Sequence, residues 1–185
     1  AGAGTSCFLS AFAASLVLGL SPGKFLGIVG GVFKQLSMPL LTIASVLALA
    51  FLMNYAGMTS TLGLAFAATG TLFPFFSAML GWTGVFLTGS DTSSNALFGT
   101  LQVVTANALD LNPILTASTN AATGVMGKMI SLQSIAVAVA ATGMASSEEG
   151  RLFRMTLKHS IILALFMAVV TMIFAYVLPQ FVPQV

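Results

Sequence analysis

The stretch from Gly81 to Gly99, GWTGVFLTGSDTSSNALFG, limits what this chain can fold into more than any other part of it. It sets the polar run TGSDTSSN, Thr88 to Asn95, between two apolar arms, and its Asp91 is the first charged side chain after Lys34. Amides and hydroxyls removed from water and left unpaired each cost about 1–3 kcal/mol, so a polar knot between apolar arms is either a loop in water or a built site among helices. Composition separates the two. With 57% hydrophobic residues, 5% charged residues and a mean hydropathy of +1.03, the chain lies far from the roughly 25% charged residues of soluble domains. It reads as an all-α integral membrane protein.

Other classes fall away on the same numbers. A net charge of +2, spread along the chain, does not suggest nucleic acid as a partner, and four acids with one His give no convincing metal set. No motif calls for a cofactor. The single cysteine, Cys7, forms no disulfide within the chain and is expected as a small core residue. The sequence opens on Ala1 inside an apolar segment, without an initiator Met or a basic leader, and reads as a fragment of a longer chain.

The whole of 1–185 reads as one transmembrane domain. A first span covers about 3–20 and closes at Ser21, Pro22 and Gly23. Lys24 and Lys34 then flank a Gly-rich piece too short to cross, expected to lie at the membrane interface or to re-enter. Further spans are expected over 38–55 and 62–76, with Pro74 near the far end of the second. The arm from Ser77 to Leu87, about 11 residues, rises roughly 16 Å, half of the hydrocarbon core, and cannot cross alone. The arm from Asn95 to Leu109 is of similar length and carries Gln102, Thr105 and Asn107. Together they predict a re-entrant hairpin over 77–109 with TGSDTSSN at its tip, in a cavity near the midplane. A discontinuous helix follows over 113–145, interrupted at Thr123 to Ser131 (TGVMGKMIS), where two glycines and Lys128 weaken it. The hydrophilic stretch 146–159 carries Glu148, Glu149, Arg151, Arg154 and Lys158, with His159 at the boundary of a last span over 160–178.

Broken helices at membrane depth present unpaired N–H groups and a positive dipole end, which attract anions without a basic side chain. The tip adds Ser90, Thr92, Ser93, Ser94 and Asn95; the second break adds Asn120, Thr123, Lys128 and Ser131. Two polar, Gly-rich breaks in a short bundle point to a secondary transporter of a small anion. The plainer readings are hydroxyls bonded to their own helices, Asp91 as a solvated loop acid and Lys128 reaching to the surface from a helix end. The competing class is a non-transporting membrane subunit or an intramembrane enzyme. It is disfavoured, since an enzyme wants a nucleophile with a base and the one His lies far from the Ser cluster. A lone charge in the bilayer costs at least about 2.5–3.5 kcal/mol, so Asp91 and Lys128 should pair as a salt bridge or each meet a functional partner.

The stretches GWTGVFLTGSDTSSNALFG, TNAATGVMGKMISLQSIAVA and LFRMTLKHS, with FKQLSMPLLTIASVLALAFLMNYAGM upstream, resemble the bacterial L-lactate permease family. The resemblance covers nearly the whole chain and implies a multi-pass symporter of the bacterial cytoplasmic membrane that carries lactate, often glycolate, with protons and without a cofactor. With a monocarboxylate as substrate, Lys128 beside Gly127 is placed to neutralise the anion, which leaves Asp91 to carry the coupled proton. The resemblance also implies a missing N-terminal part of the same permease as partner. A looser similarity to inverted-repeat ion transporters implies that the chain is one half of such a fold. There the family signature Ser-Asn-Thr is met in part, by Ser94 and Asn95 followed by Ala96. The basic stretch 146–158 is expected on the cytoplasmic side; the side of Lys24 and Lys34 stays open.

Overall fold

The computed structural model describes residues 2–183, which form helices and short connections. The chain divides into two compact units, Ala1–Ala44 and Ser45–Val185.

In the first unit, helix α1 (Ala3–Val17) ends ahead of Gly19, which takes a left-handed conformation, and α2 (Pro22–Tyr55) begins at Pro22. Phe25 packs against Phe8 and Phe12 with ring centroids 6.2 and 5.7 Å apart. The separate interfacial piece expected between Lys24 and Lys34 does not form, since α2 runs continuously through it and past the expected start at 38. Each Gly lowers helix propensity by about 1 kcal/mol, a small penalty beside leaving backbone amides unpaired in an apolar setting. Cys7, expected in the core, is exposed.

In the second unit, Gly57 takes φ +70 and turns the chain, so that the segment ending at Tyr55 and α3 (Met58–Ala67) meet at 75°. A single turn of 3-10 helix, Gly70–Leu72, leads into α4 (Phe73–Thr88), and α5 (Asp91–Ala108), α6 (Pro113–Lys128), α7 (Leu132–Thr142) and α8 (Glu149–Tyr176) follow. Pro74 lies in the first turn of α4, where its missing N–H costs nothing, so it opens that helix instead of ending a span over 62–76. The arm leading to the tip is therefore longer than the half-span expected: Gly70–Thr88 has 19 residues, enough to cross. The charged stretch 149–159 is also helical and forms the first turns of α8.

Among the described residues, Gly70–Thr88, Pro113–Val139 and Glu149–Tyr176 are long and apolar enough to cross a membrane, with a fourth crossing if the pair bent at Gly57 counts as one. The protein is thus an all-helical, multi-pass membrane protein.

Small residues hold the helices together. A Cβ added at Gly127 of α6 would lie 2.1 Å from the Trp82 carbonyl oxygen of α4, and one added at Gly81 of α4 would lie 2.3 Å from the Asn120 carbonyl oxygen. The two backbones touch where these glycines are. Hydroxyls then cross-link neighbours: the Trp82 Nε1–H donates to Ser160 Oγ of α8 at 2.8 Å, and Ser160 Oγ donates to the Met126 carbonyl of α6. Thr105 Oγ1 donates to the Gly63 carbonyl at 3.0 Å, and Thr119 and Thr171 share a hydrogen bond at 3.2 Å. Lipid tails are as apolar as leucine, so close packing and such bonds supply what the hydrophobic effect supplies in water.

This seam yields a paired test. Gly127→Ala must push α4 and α6 apart and is expected to destabilise the protein by about 1–3 kcal/mol, the usual cost of overpacking. Gly99→Ala, whose Cβ would meet nothing within 4 Å, is expected to be neutral or stabilising by up to about 1 kcal/mol. Thermal unfolding in detergent, followed by circular dichroism, compares the two.

Candidate functional site

The reversal between α4 and α5 takes two residues, and local chemistry explains why. Gly89 caps α4 at φ +67, a conformation open to glycine, and its N–H bonds the Val85 carbonyl at 2.8 Å. Thr88 Oγ1 donates to the Gly84 carbonyl at 2.8 Å and accepts the Ser90 N–H at 3.2 Å. Ser90 is extended, and its Oγ accepts the Ser93 N–H at 3.3 Å as the N-cap of α5. Asp91 then occupies the first turn, where the helix dipole favours a negative charge.

The second break has the same grammar. Lys128 stands in the last turn of α6, Met129 and Ile130 follow, and Ser131 caps α7 by accepting the Ser134 N–H at 3.3 Å. The breaks meet: the Lys128 ammonium donates to the Gly89 carbonyl, the C-cap of α4. A Cβ at Gly89 would lie 2.8 Å from the Gln133 side chain of α7. Lys128 thus sits at the negative ends of two helix dipoles, α6 and α4, which favours a cation there.

Asp91 has different company. Its Oδ2 accepts from Asn95 Nδ2 at 3.1 Å. Asn95 Oδ1 accepts from Asn120 Nδ2 at 2.7 Å, and Asn120 Oδ1 accepts from Gln102 Nε2 at 3.2 Å. The other carboxylate oxygen, Oδ1, is buried without a hydrogen bond and faces Gly124, where a Cβ would come within 2.5 Å of it. Asp91 and Lys128 do not pair; the ion pair found among the described residues is Arg151–Glu148 at 3.7 Å, near the start of α8. Lys128 has an alternative in the caps of two helices, and Asp91 has one in an amide.

The residues singled out from sequence divide into a mouth and a wall. Thr92 and Lys128 are exposed, and Ser90, Asp91 and Asn95 are half-buried at the tip. Ser93, Ser94, Asn120, Thr123 and Ser131 are buried. Ser94 Oγ has no hydrogen-bond partner and lies against Gly84; Thr123 Oγ1 donates to the Thr119 carbonyl at 2.7 Å and lies against Gly81. His159 is apart from this group, exposed on α8 with its ring against the Met155 carbonyl. Sequence reasoning missed three participants: Gln102, Gln133 and the Gly89 carbonyl. The first had a signal, since Asp91, Asn95 and Gln102 fall at i, i+4 and i+11 on one helical face. Among the described residues no cluster of three or more His, Cys, Asp or Glu could hold a metal ion.

Membrane crossings packed around two facing helix breaks, with a half-buried acid and a cation beside them, define a multi-pass membrane protein with an internal polar site. The sequence model of the L-lactate permeases matches residues 1–178, and the chain belongs to the L-lactate permease family. It is 51% identical over 174 residues to the glycolate permease GlcA of Escherichia coli (strain K12), covering 94% of this chain and 31% of that protein. With the L-lactate permease of Bacillus subtilis (strain 168) the identity is 46% over 185 residues, 98% of this chain and 32% of the relative. With that of Salmonella typhimurium it is 47% over 180 residues, 97% and 32%. The chain therefore spans about a third of the length of these relatives. They are named as permeases, which are transporters and not enzymes. No solved structure matches the chain.

The Lys128 contact can be read directly. Lys128→Met is expected to free the Gly89 carbonyl and speed amide hydrogen exchange over Gly89–Ser94 on the order of tenfold, the worth of one hydrogen bond to a charged group. Exchange rates unchanged by the substitution would mean that the contact does not order the tip.

Proposed function

We propose that this chain forms the substrate and proton site of a secondary transporter that carries L-lactate and similar 2-hydroxy monocarboxylates such as glycolate across the bacterial cytoplasmic membrane, in symport with protons. The observation that carries this reading is the meeting of the two helix breaks at the Lys128–Gly89 contact. An arriving carboxylate finds the N-terminal amides of α5, the hydroxyls of Ser90 and Thr92, and an ammonium whose present partner is a neutral carbonyl. A carboxylate brings the ammonium a full opposite charge that the neutral Gly89 carbonyl lacks, so the anion displaces Gly89 from Lys128. Asn95 borders the mouth, and Ser93, Ser94, Asn120, Thr123 and Ser131 line the wall behind. Asp91, with Oδ1 unpaired, carries the proton. The names of the relatives, glycolate permease and L-lactate permease, support the substrate class, as both acids carry a hydroxyl beside the carboxylate.

The hairpin is re-entrant in this reading. By length α4 rises about 24 Å and α5 about 27 Å, each short of the roughly 30 Å hydrocarbon core. The break that meets its tip falls inside a 27-residue crossing segment, Pro113–Val139, and not at its end. The chain, about a third of the length of its relatives, then belongs to one half of an inverted-repeat transporter, completed by the rest of the same permease. One observation favours a second topology, a tip beyond the far surface: counted with its preceding turn, Gly70–Thr88 is long enough to cross.

Two measurements on the full-length permease carrying this sequence, in proteoliposomes, test these points. Asp91→Asn is expected to keep lactate exchange while losing accumulation driven by a pH gradient; accumulation that survives would remove Asp91 from the proton path. A cysteine at position 92 is expected to be protected from maleimide by lactate about tenfold, as for a group desolvated by bound substrate. Fast labelling that ignores lactate would put the tip in open water.

A further inference from the structure

Gln102 of α5 and Asn120 of α6 are fully buried, at 0% exposure, and neither reaches the mouth of the site. Burying two carboxamides needs a reason, and their hydrogen bonds supply one. The chain runs Gln102 to Asn120 at 3.2 Å, Asn120 to Asn95 at 2.7 Å and Asn95 to Asp91 at 3.1 Å. Its direction is fixed at both ends. A carboxylate only accepts, so the group of Asn95 that faces Asp91 is its NH2. Asn95 must then accept with Oδ1, which requires the NH2 of Asn120, and Asn120 must accept with its own Oδ1 from Gln102. At the far end Gln102 Nε2 also donates to the Ser77 carbonyl of α4 at 3.0 Å, and a backbone carbonyl cannot donate. No amide in the series can turn over without leaving two acceptors face to face.

We propose that Gln102 and Asn120 are positioning residues, which act through Asn95 to lock the Asp91 carboxylate in one orientation and reserve Oδ1, against Gly124, as the oxygen that takes the proton. Asp91 Oδ2 is committed to the Asn95 NH2. A proton placed there would use a lone pair of an oxygen that already accepts a hydrogen bond and would weaken that bond. A proton on Oδ1 disturbs nothing, and Gly124 leaves the room for it. Lys128 is the one charged side chain that α4, α6 and α7 carry by sequence, and it is held on the Gly89 carbonyl. The charges of α8 nearest in sequence to the seam, Arg154, Lys158 and His159, are exposed. The orientation of Asp91 is thus set by neutral dipoles.

The role in proton loading rests on the transport reading above, whereas the relay itself does not. The test therefore has a readout apart from uptake: isotope-edited infrared spectra of the Asp91 carboxyl in the purified full-length permease, identified by subtraction of Asp91→Asn. Gln102→Leu removes the far end of the relay without touching Asp91. It is expected to shift the Asp91 carboxyl bands at fixed pH, and to lower pH-driven accumulation by about tenfold more than it lowers exchange, the worth of one hydrogen bond to a charged group. Asn120→Ser, which cuts the series one link nearer the acid and leaves Gln102 on Ser77, is expected to give the same band shift should the leucine variant fold poorly. Bands that stay in place in either variant, with helix content and monodispersity retained, overturn the relay. Shifted bands together with pH-driven accumulation that survives Asp91→Asn would support the relay and refute the proton-carrying role.

Discussion

The approach of α4 to α6 is the constraint from which the rest of the site follows. Gly81 on one helix and Gly124 and Gly127 on the other remove the side chains that would hold two helices at the usual 8–10 Å, and backbone and short side chains fill the space. Because α5 turns back from α4 within two residues, that approach also carries the N-terminus of α5 to the C-terminal end of α6. Asp91 then comes to rest beside Gly124, and Lys128 beside Gly89. A bulky residue at any of these glycines would separate the two breaks before it changed either one.

The two charges near the tip show how a membrane protein holds ions without pairing them. A direct Asp91–Lys128 bridge would hold the two helices at a high desolvation cost, and it would occupy both ions. Instead the cation rests on the cap of a helix dipole and the anion on an amide at the start of another. Each partner is neutral. Either charge is therefore free to meet a charged ligand with more to gain than it gives up.

Much of the fold could be read in the chain before its structure, and the failures have physical causes. The knot at Thr88 to Asn95 and the break at Thr123 to Ser131 were legible because Gly, Ser and Thr inside apolar runs have few other uses at membrane depth. Pro74 misled because a proline at the end of one helix and in the first turn of the next look alike in sequence; the choice depends on where the preceding helix stops, here at Ala67. The Gly-rich piece between the first two lysines looked like a break but stayed helical, since no hydroxyl or amide there offers the backbone another partner. Within the site, residue types pointed to the right neighbourhood but not to depth. Thr92 and Ser94 are two positions apart, yet one is exposed and the other buried with its hydroxyl unbonded. Gln102 stood in plain view at helical spacing from Asp91, but its link to Asn120 depends on how α5 packs on α6.

The brevity of the turn at Gly89 and Ser90 bears on how the tip can respond. With one residue capping the outgoing helix and the next capping the incoming one, the tip has almost no internal freedom left to lose. A ligand bound there does not have to order a loop, at about 1–2 kcal/mol per residue fixed, since folding has already done so. Stiffness of this kind also limits the motions available: the hairpin can tilt or slide as a body against α6 and α7, but it cannot open like a flap.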